Sequence, residues 1–171
     1  MVMWVVVIIA VAFIIVIIAF RSPDRNYKEE LKQSGYDTEN RIETGKYIAG
    51  HPDIDKSIEK TSIFHAGNNI EIMEEEIEYK CEKKAVIEIT KIKNIIVEDE
   101  SSIEKKVTVG RLLAVGVFAF ALKKNVKNEL AYLTLEWNDG KFDHETIFEF
   151  AGSDAMQKAN TARNKLIRIA R

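Results

Sequence analysis

The stretch Leu130–Phe150, LAYLTLEWNDGKFDHETIFEF, decides the fold of this 171-residue chain. An Asp139-Gly140 pair separates two runs in which apolar and polar residues alternate, and this arrangement is the strongest short signal for a β-hairpin. One face of the first strand is predicted to carry Tyr132, Thr134 and Glu136, and the other Ala131, Leu133, Leu135 and Trp137. The sequence therefore predicts an antiparallel sheet in this part of the chain.

Upstream, the pattern predicts further strands. Thr61–His65 and Ile70–Glu74 flank Ala66–Asn69, a Gly-Asn cluster that indicates a second hairpin. Ala85–Val97 is rich in β-branched residues and is predicted to form either one bent strand or two short strands. Val107–Leu122 is nearly all apolar, but it contains Arg111 and two glycines, which disfavour a membrane helix. We interpret it as a buried strand, with a re-entrant or interfacial segment as the alternative.

The chain ends in a predicted amphipathic helix. Ser153 is a candidate N-cap, and Asp154 suits the positive end of the helix dipole. The predicted apolar stripe consists of Met156, Ala159, Leu166, Ile167 and Ala170. The order of elements is thus a series of short strands followed by one helix, an α+β arrangement that is mainly β.

Three pieces of this sequence resemble bacterial pleckstrin-homology-like (PH-like) domains: TVGRLLAVGVFAFALKK at 108–124, YLTLEW at 132–137 and FEF at 148–150. The resemblance covers residues 46–171 and implies a bent antiparallel β-barrel or sandwich that is capped by the C-terminal helix. It also implies binding of lipid headgroups, peptides or proteins, usually without catalysis. The loops Ala66–Asn69 and Pro52–Lys60 lack the cluster of cations that phosphoinositide-binding members carry.

Residues 1–20 are predicted to form a transmembrane helix. The run Val2–Phe20 holds nineteen residues without a charge, a Gly or a Pro, and as a helix it spans roughly 28 Å of a bilayer core that is ~30 Å thick. Its membrane-spanning residues include Val2, Trp4, Ile9, Phe13, Ile17 and Phe20. A cleaved signal peptide would need a basic start and a small-residue cleavage site, and a buried core helix would need a polar face.

The flanking charges predict the orientation of this anchor. Arg21, Arg25, Lys28 and Lys32 follow it, and such residues favour the cytoplasmic side. We therefore expect a single-pass protein of the cell membrane with its C-terminal domain in the cytoplasm. The single cysteine, Cys81, agrees with this location. Residues 21–45 are polar and are predicted to be a linker, which leaves residues 46–171 as the PH-like domain.

Composition and motifs argue against several functions. A net charge of −2 does not suit a nucleic-acid binder. His51, His65 and His144 lack metal-ligand spacing and are predicted to be surface or turn residues, and the acidic run 74–76 is predicted to be solvated. No phosphate-binding loop or nucleophile motif is present in the sequence. We therefore predict no cofactor, no metal and no catalysis.

Two sets of cations are candidates for contact with anionic lipid headgroups or a protein partner. They are Arg111, Lys123, Lys124 and Lys127 around the apolar segment, and Lys158, Arg163, Lys165 and Arg168 on the final helix. The leading hypothesis is a non-catalytic interaction module at the inner face of the membrane. The alternatives are a lipid-binding module and a structural subunit of a larger membrane or envelope assembly.

Overall fold

The computed structural model describes residue 36 and residues 39–75, 81–102 and 129–171. The chain divides into the units Met1–Glu39 and Asn40–Arg171, and every element below belongs to the second unit. The predicted anchor, most of the predicted linker and the predicted strand 107–122 lie outside the described residues, as do Arg111, Lys123, Lys124 and Lys127. No helix within the described ranges is long and apolar enough to cross a membrane.

Seven strands and one C-terminal helix lie wholly within the described part of this unit. The strands are β1 (Arg41–Ala49), β2 (Ile58–Ala66), β3 (Asn69–Glu75), β4 (Cys81–Glu88), β5 (Ile92–Asp99), β6 (Leu130–Asn138) and β7 (Asp143–Ala151), and the helix is α1 (Ala155–Ile169). Every strand pairing is antiparallel. The predicted mainly-β architecture with one C-terminal helix is therefore confirmed. Strand β1 begins at Arg41, before the domain start that the sequence placed at residue 46.

The two end strands of the sheet are joined at one corner. Its strand order is β4-β3-β2-β1-β7-β6-β5, so β4 and β5 are its two end strands. Only a 3₁₀ turn, Ile89–Lys91, joins these two strands along the chain. Three residues of 3₁₀ helix rise about 6 Å, so the ends of the sheet must lie close together at this corner. Of the two options for Ala85–Val97, two short strands is the correct one.

Both predicted hairpins are confirmed, and local turn chemistry explains them. In the β6–β7 turn, the Asp139 carboxylate accepts the backbone N–H groups of Lys141 and Phe142. Gly140 adopts a φ of 103°, a left-handed conformation that favours glycine. In the β2–β3 turn, Gly67 has a φ of 60°. These turns set the register of each hairpin.

The predicted faces of β6 are also confirmed. Leu133, Leu135 and Trp137 point into the main core. Tyr132, from the opposite face, belongs to a smaller cluster with Ile48, Ala49 and Ile147. The alternation of β6 therefore separates two apolar layers, one on each side of the sheet.

Helix α1 packs on the sheet through a stripe of small residues. Its buried residues are Ala155, Ala159, Ala162 and Leu166, and it contacts β6, β5, β1 and β7. Met156, predicted to be in the apolar stripe, is 41 % exposed because it follows Ala155 by one position and so lies off the stripe. Ala170, also predicted there, is exposed because the helix has ended. Asp154 rather than Ser153 occupies the N-cap position, without a side-chain capping bond.

Candidate functional site

The end strand β5 and helix α1 enclose a groove. Within the described residues β5 pairs only with β6, so the opposite edge of β5 faces away from the sheet. Two adjoining hollows of about 360 and 310 Å³ follow this edge, and both are lined by Asn94, Ile95 and Arg163. We name the continuous feature the β5–α1 groove. It is lined by Ile92–Val97 together with Met156, Asn160, Arg163, Ile167, Ala170 and Arg171.

The backbone of Ile95 points into this groove. Its N–H donates to Asn94 Oδ1 at 3.1 Å, and its C=O accepts a hydrogen bond from Arg163 Nε at 3.2 Å. Ile95 lies opposite Leu135 of β6, but its N–H and C=O point away from Leu135. Because hydrogen-bonding directions alternate along an antiparallel strand, Val97 presents its N–H and C=O to the same edge. The groove therefore contains the backbone groups that an additional strand would need.

The charge of the β5–α1 groove is positive. Its lining includes Lys93, Arg163 and Arg171 and contains no Asp or Glu. Lys93 is neutralised by Asp143, since Nζ and Oδ1 are 2.5 Å apart. Arg163 hydrogen-bonds through Nε only, so its two terminal nitrogens make no further bond within the described residues. An anionic group that enters the groove would therefore meet a guanidinium with free donors.

The structure does not bring the four predicted helix cations together into one patch. Lys158 pairs with Asp154 at 3.1 Å within the first turn. Lys165 reaches the other side of the helix, where Nζ donates to the carbonyl of Ile42 in β1 at 2.8 Å. Arg163 reaches β5, and Arg168 is exposed. Two of these cations therefore attach α1 to the strands on either side, and only Arg163 lines the groove.

A second candidate site surrounds His51, in the loop between β1 and β2. The sequence predicted a surface or turn position, but the side chain is only 4 % exposed because its ring stacks on Trp137 with centroids 5.1 Å apart. Nε2 donates to the Val86 carbonyl at 3.2 Å, and Nδ1 accepts the Asp53 N–H at 3.2 Å. Burial lowers the pKa of His51, so the ring is neutral. Both ring nitrogens are engaged, which points to a structural role.

His144 lies on Trp137 as well, with ring centroids 4.5 Å apart. Its Nε2 is 2.9 Å from Oδ2 of Asp139, the carboxylate of the β6–β7 turn. The hydrogen bond with His144 and the backbone N–H groups of Phe142 and Lys141 hold the pKa of Asp139 far below its usual range. This pair therefore supports the turn. Across the described residues, no three His, Cys, Asp or Glu side chains are grouped to hold a metal ion.

Glu75, at the end of β3, corrects the prediction of a solvated acidic run. Its side chain is 8 % exposed and accepts hydrogen bonds from Ser62 Oγ and, at 2.6 Å, from Lys60 Nζ. Burial raises the pKa of Glu75, but the bonds from Lys60 and Ser62 outweigh it, and the net pKa is lowered. Ser62 is in turn 3.0 Å from the hydroxyl of Thr44. This network connects three neighbouring strands and serves the fold.

The sequence did not single out the residues of β5 that form the groove. Lys93-Asn94 interrupts the β-branched run, and this was the only local signal of an exposed edge. Comparison with models of known protein families, with curated proteins and with solved structures finds no match to this chain. The assignment of a function therefore depends on the geometry and chemistry of the site.

Proposed function

We propose that this chain is a non-catalytic binding module, anchored in the membrane by residues 1–20, that takes up an extended segment of a protein partner. The β5–α1 groove is the site, and the segment adds as a further strand along the free edge of β5. The observation that carries this proposal is the direction of the Ile95 backbone, whose N–H and C=O both face the groove. Main-chain hydrogen bonds would supply affinity, and the groove would supply selectivity.

The antiparallel sheet and its C-terminal helix support a PH-like domain as the scaffold of this module. The resemblance implies a strongly bent antiparallel sheet with a helix at one end. In support of it, α1 packs against β1, β5, β6 and β7 of an antiparallel sheet. Members of that superfamily bind ligands and usually lack catalysis. The location at the inner face of the membrane rests on the apolar run Val2–Phe20 and the cations that follow it.

A protein partner fits the described cations better than a lipid surface does. Membrane contact would need several cations that project together toward the bilayer. Lys158 and Lys165 are instead bonded within the domain, and Arg163 is held against β5. The groove follows β5 from Ile92 to Val97, which suits an extended chain rather than a headgroup. A structural subunit of a larger assembly stays as the alternative.

The test uses the full-length protein in mild detergent micelles. Peptides would be selected on it from a displayed library of random sequences, and hydrogen exchange would locate the bound peptide. Val97→Pro removes an N–H that faces the groove and that β6 does not use, so the sheet should tolerate it. Val97→Ala is the matched control, since it shortens the same side chain and keeps the donor.

We expect the selected peptides to slow amide exchange in β5, to bind Val97→Ala and to lose binding to Val97→Pro. Circular dichroism of both variants would verify that the fold persists. Peptides that bind Val97→Pro as well as the parent would refute strand addition. A preference for anionic over zwitterionic vesicles in flotation that is lost at high salt would report the lipid alternative, because the proposed anchor alone would insert into both. Native-gel mass in the same detergent would report the assembly alternative.

A further inference from the structure

The chemistry of Arg163 narrows the class of partner, an inference that rests on the proposed function. We propose that the segment bound in the β5–α1 groove carries an Asp or Glu side chain that pairs with the Arg163 guanidinium.

Arg163 lies at the centre of the groove. It lines both hollows, and its Nε donates to the Ile95 carbonyl at 3.2 Å. The side chain is partly buried, so its charge is only partly screened by water. Any strand that pairs with β5 through Ile95 must pass directly beside this guanidinium.

Strand addition competes with Arg163 for one acceptor. The Ile95 carbonyl is the group that a backbone N–H of the added strand would use. Once the added strand bonds to the Ile95 carbonyl, Arg163 loses its hydrogen bond to that oxygen. The incoming chain also limits the access of the guanidinium to water. A released and half-buried guanidinium is costly unless an anion pairs with it. A carboxylate on the added strand would convert this cost into a charge-assisted, bidentate contact.

The groove itself offers no replacement partner. None of its lining residues is an Asp or Glu, and the nearby polar side chains Asn94 and Asn160 are neutral. Asp143, the acid beside Lys93, is already engaged by that lysine. A phosphate would call for several cations grouped around it. Arg163 is the one arginine that lines both hollows, and a planar guanidinium matches one carboxylate. The anion must therefore come from the ligand, and a carboxylate fits best.

The experiment begins with the peptides selected on the full-length protein. The strongest binder would be made in two forms that differ only by Glu or Gln at the enriched acidic position. Each form would be titrated calorimetrically against the parent protein, Arg163→Gln and Arg163→Lys. Arg168→Gln is the matched control, because it removes the same charge from an exposed site on the same helix outside the groove.

We expect the Glu peptide to bind Arg163→Gln about tenfold more weakly than the parent, with Arg163→Lys in between and Arg168→Gln unchanged. The Gln peptide should bind the parent and Arg163→Gln about equally. Selected peptides without an acidic position, or an equal loss for both peptides on Arg163→Gln, would overturn the inference and leave the proposed function standing. Failure to select any peptide that slows amide exchange in β5 would refute both this inference and the proposed function.

Discussion

Replacement of the buried histidine His51 by glutamine should lower stability and also remove most of the decline in stability just below pH 6.5. The imidazole stacks on Trp137, donates to the Val86 carbonyl and accepts the Asp53 N–H. His51→Gln loses the stack and leaves at least one buried polar group without its partner. Losses of this kind sum to about 2–4 kcal/mol of unfolding free energy, which a domain with 5–15 kcal/mol of stability survives.

The sign of the pH effect follows from the buried state of His51. Burial lowers its pKa in the folded protein below 6.5, the value of an unperturbed histidine, and His144 also lowers it, while Val86 and Asp53 partly oppose the shift. Below pH 6.5 the unfolded chain therefore binds the proton more readily than the folded protein. Stability should fall with decreasing pH down to the folded pKa, by at most about 1.4 kcal/mol per pH unit for one proton.

Urea unfolding of the full-length protein in detergent would measure both effects. The sequence has two tryptophans, so a Trp4→Phe background leaves the buried Trp137 as the only reporter. His65→Gln is the control, because the imidazole of this second histidine bonds the Gly67 carbonyl of its own turn. The control should keep the acid-side slope, and His51→Gln should lose most of it. If stability in His51→Gln still fell below pH 6.5 as steeply as in the parent, protonation of the buried His51 would not be the cause of the slope.

Four further changes test other parts of the structure. Gly45→Ala should lower the unfolding free energy by about 1–3 kcal/mol, measured in urea, because its Cβ would lie 2.8 Å from the backbone oxygen of Glu149; an unaffected midpoint would contradict the close approach. Lys165→Met should speed amide exchange in α1, since it removes the hydrogen bonds to β1 carbonyls. Glu75→Gln should cost about 1–2 kcal/mol at pH 7. That cost should shrink as pH falls through the lowered pKa of Glu75, and calorimetry at two pH values would check it. Removal of residues 1–20 should release a folded domain into the soluble fraction, and a truncated protein that still sediments with membranes would count against the anchor.

Local patterns predicted the hairpins well. The Asp139-Gly140 turn and the alternation from Ala131 to Trp137 depend on residues that are neighbours in the sequence, and the structure contains both. The sequence placed the start of the domain at residue 46 and predicted no strand at Arg41–Ala49. This strand, RIETGKYIA, begins with polar residues and gains its strand partners from β2 and β7. The helix stripe was only partly correct, since the face of α1 is set by its alanines rather than by its largest apolar side chains.

The sequence singled out only Arg163 of the candidate site, as one of the four helix cations, because the parts of the site meet only in three dimensions. Ile95 and Arg163 are distant along the chain, and nothing near either residue indicates that a guanidinium approaches that carbonyl. The burial of His51 has the same origin, since Val86 and Trp137 come from two other strands. Local sequence patterns predict strands and turns. They do not predict the order of strands in the sheet, which decides which edge is exposed and which loop is covered.

The junction between β1 and β7 has a consequence for how the domain folds. The strands β1–β4 and the strands β5–β7 each form a series of neighbours. Among the residues that the structure describes, the one ladder between the two series runs along β1 and β7, through Lys46, Tyr47 and Ala49. These residues and their partners are about a hundred positions apart, and closing so long a loop is slow. We expect each series to form early and the β1–β7 pairing to form last. Formation of this pairing should therefore govern the rate of refolding.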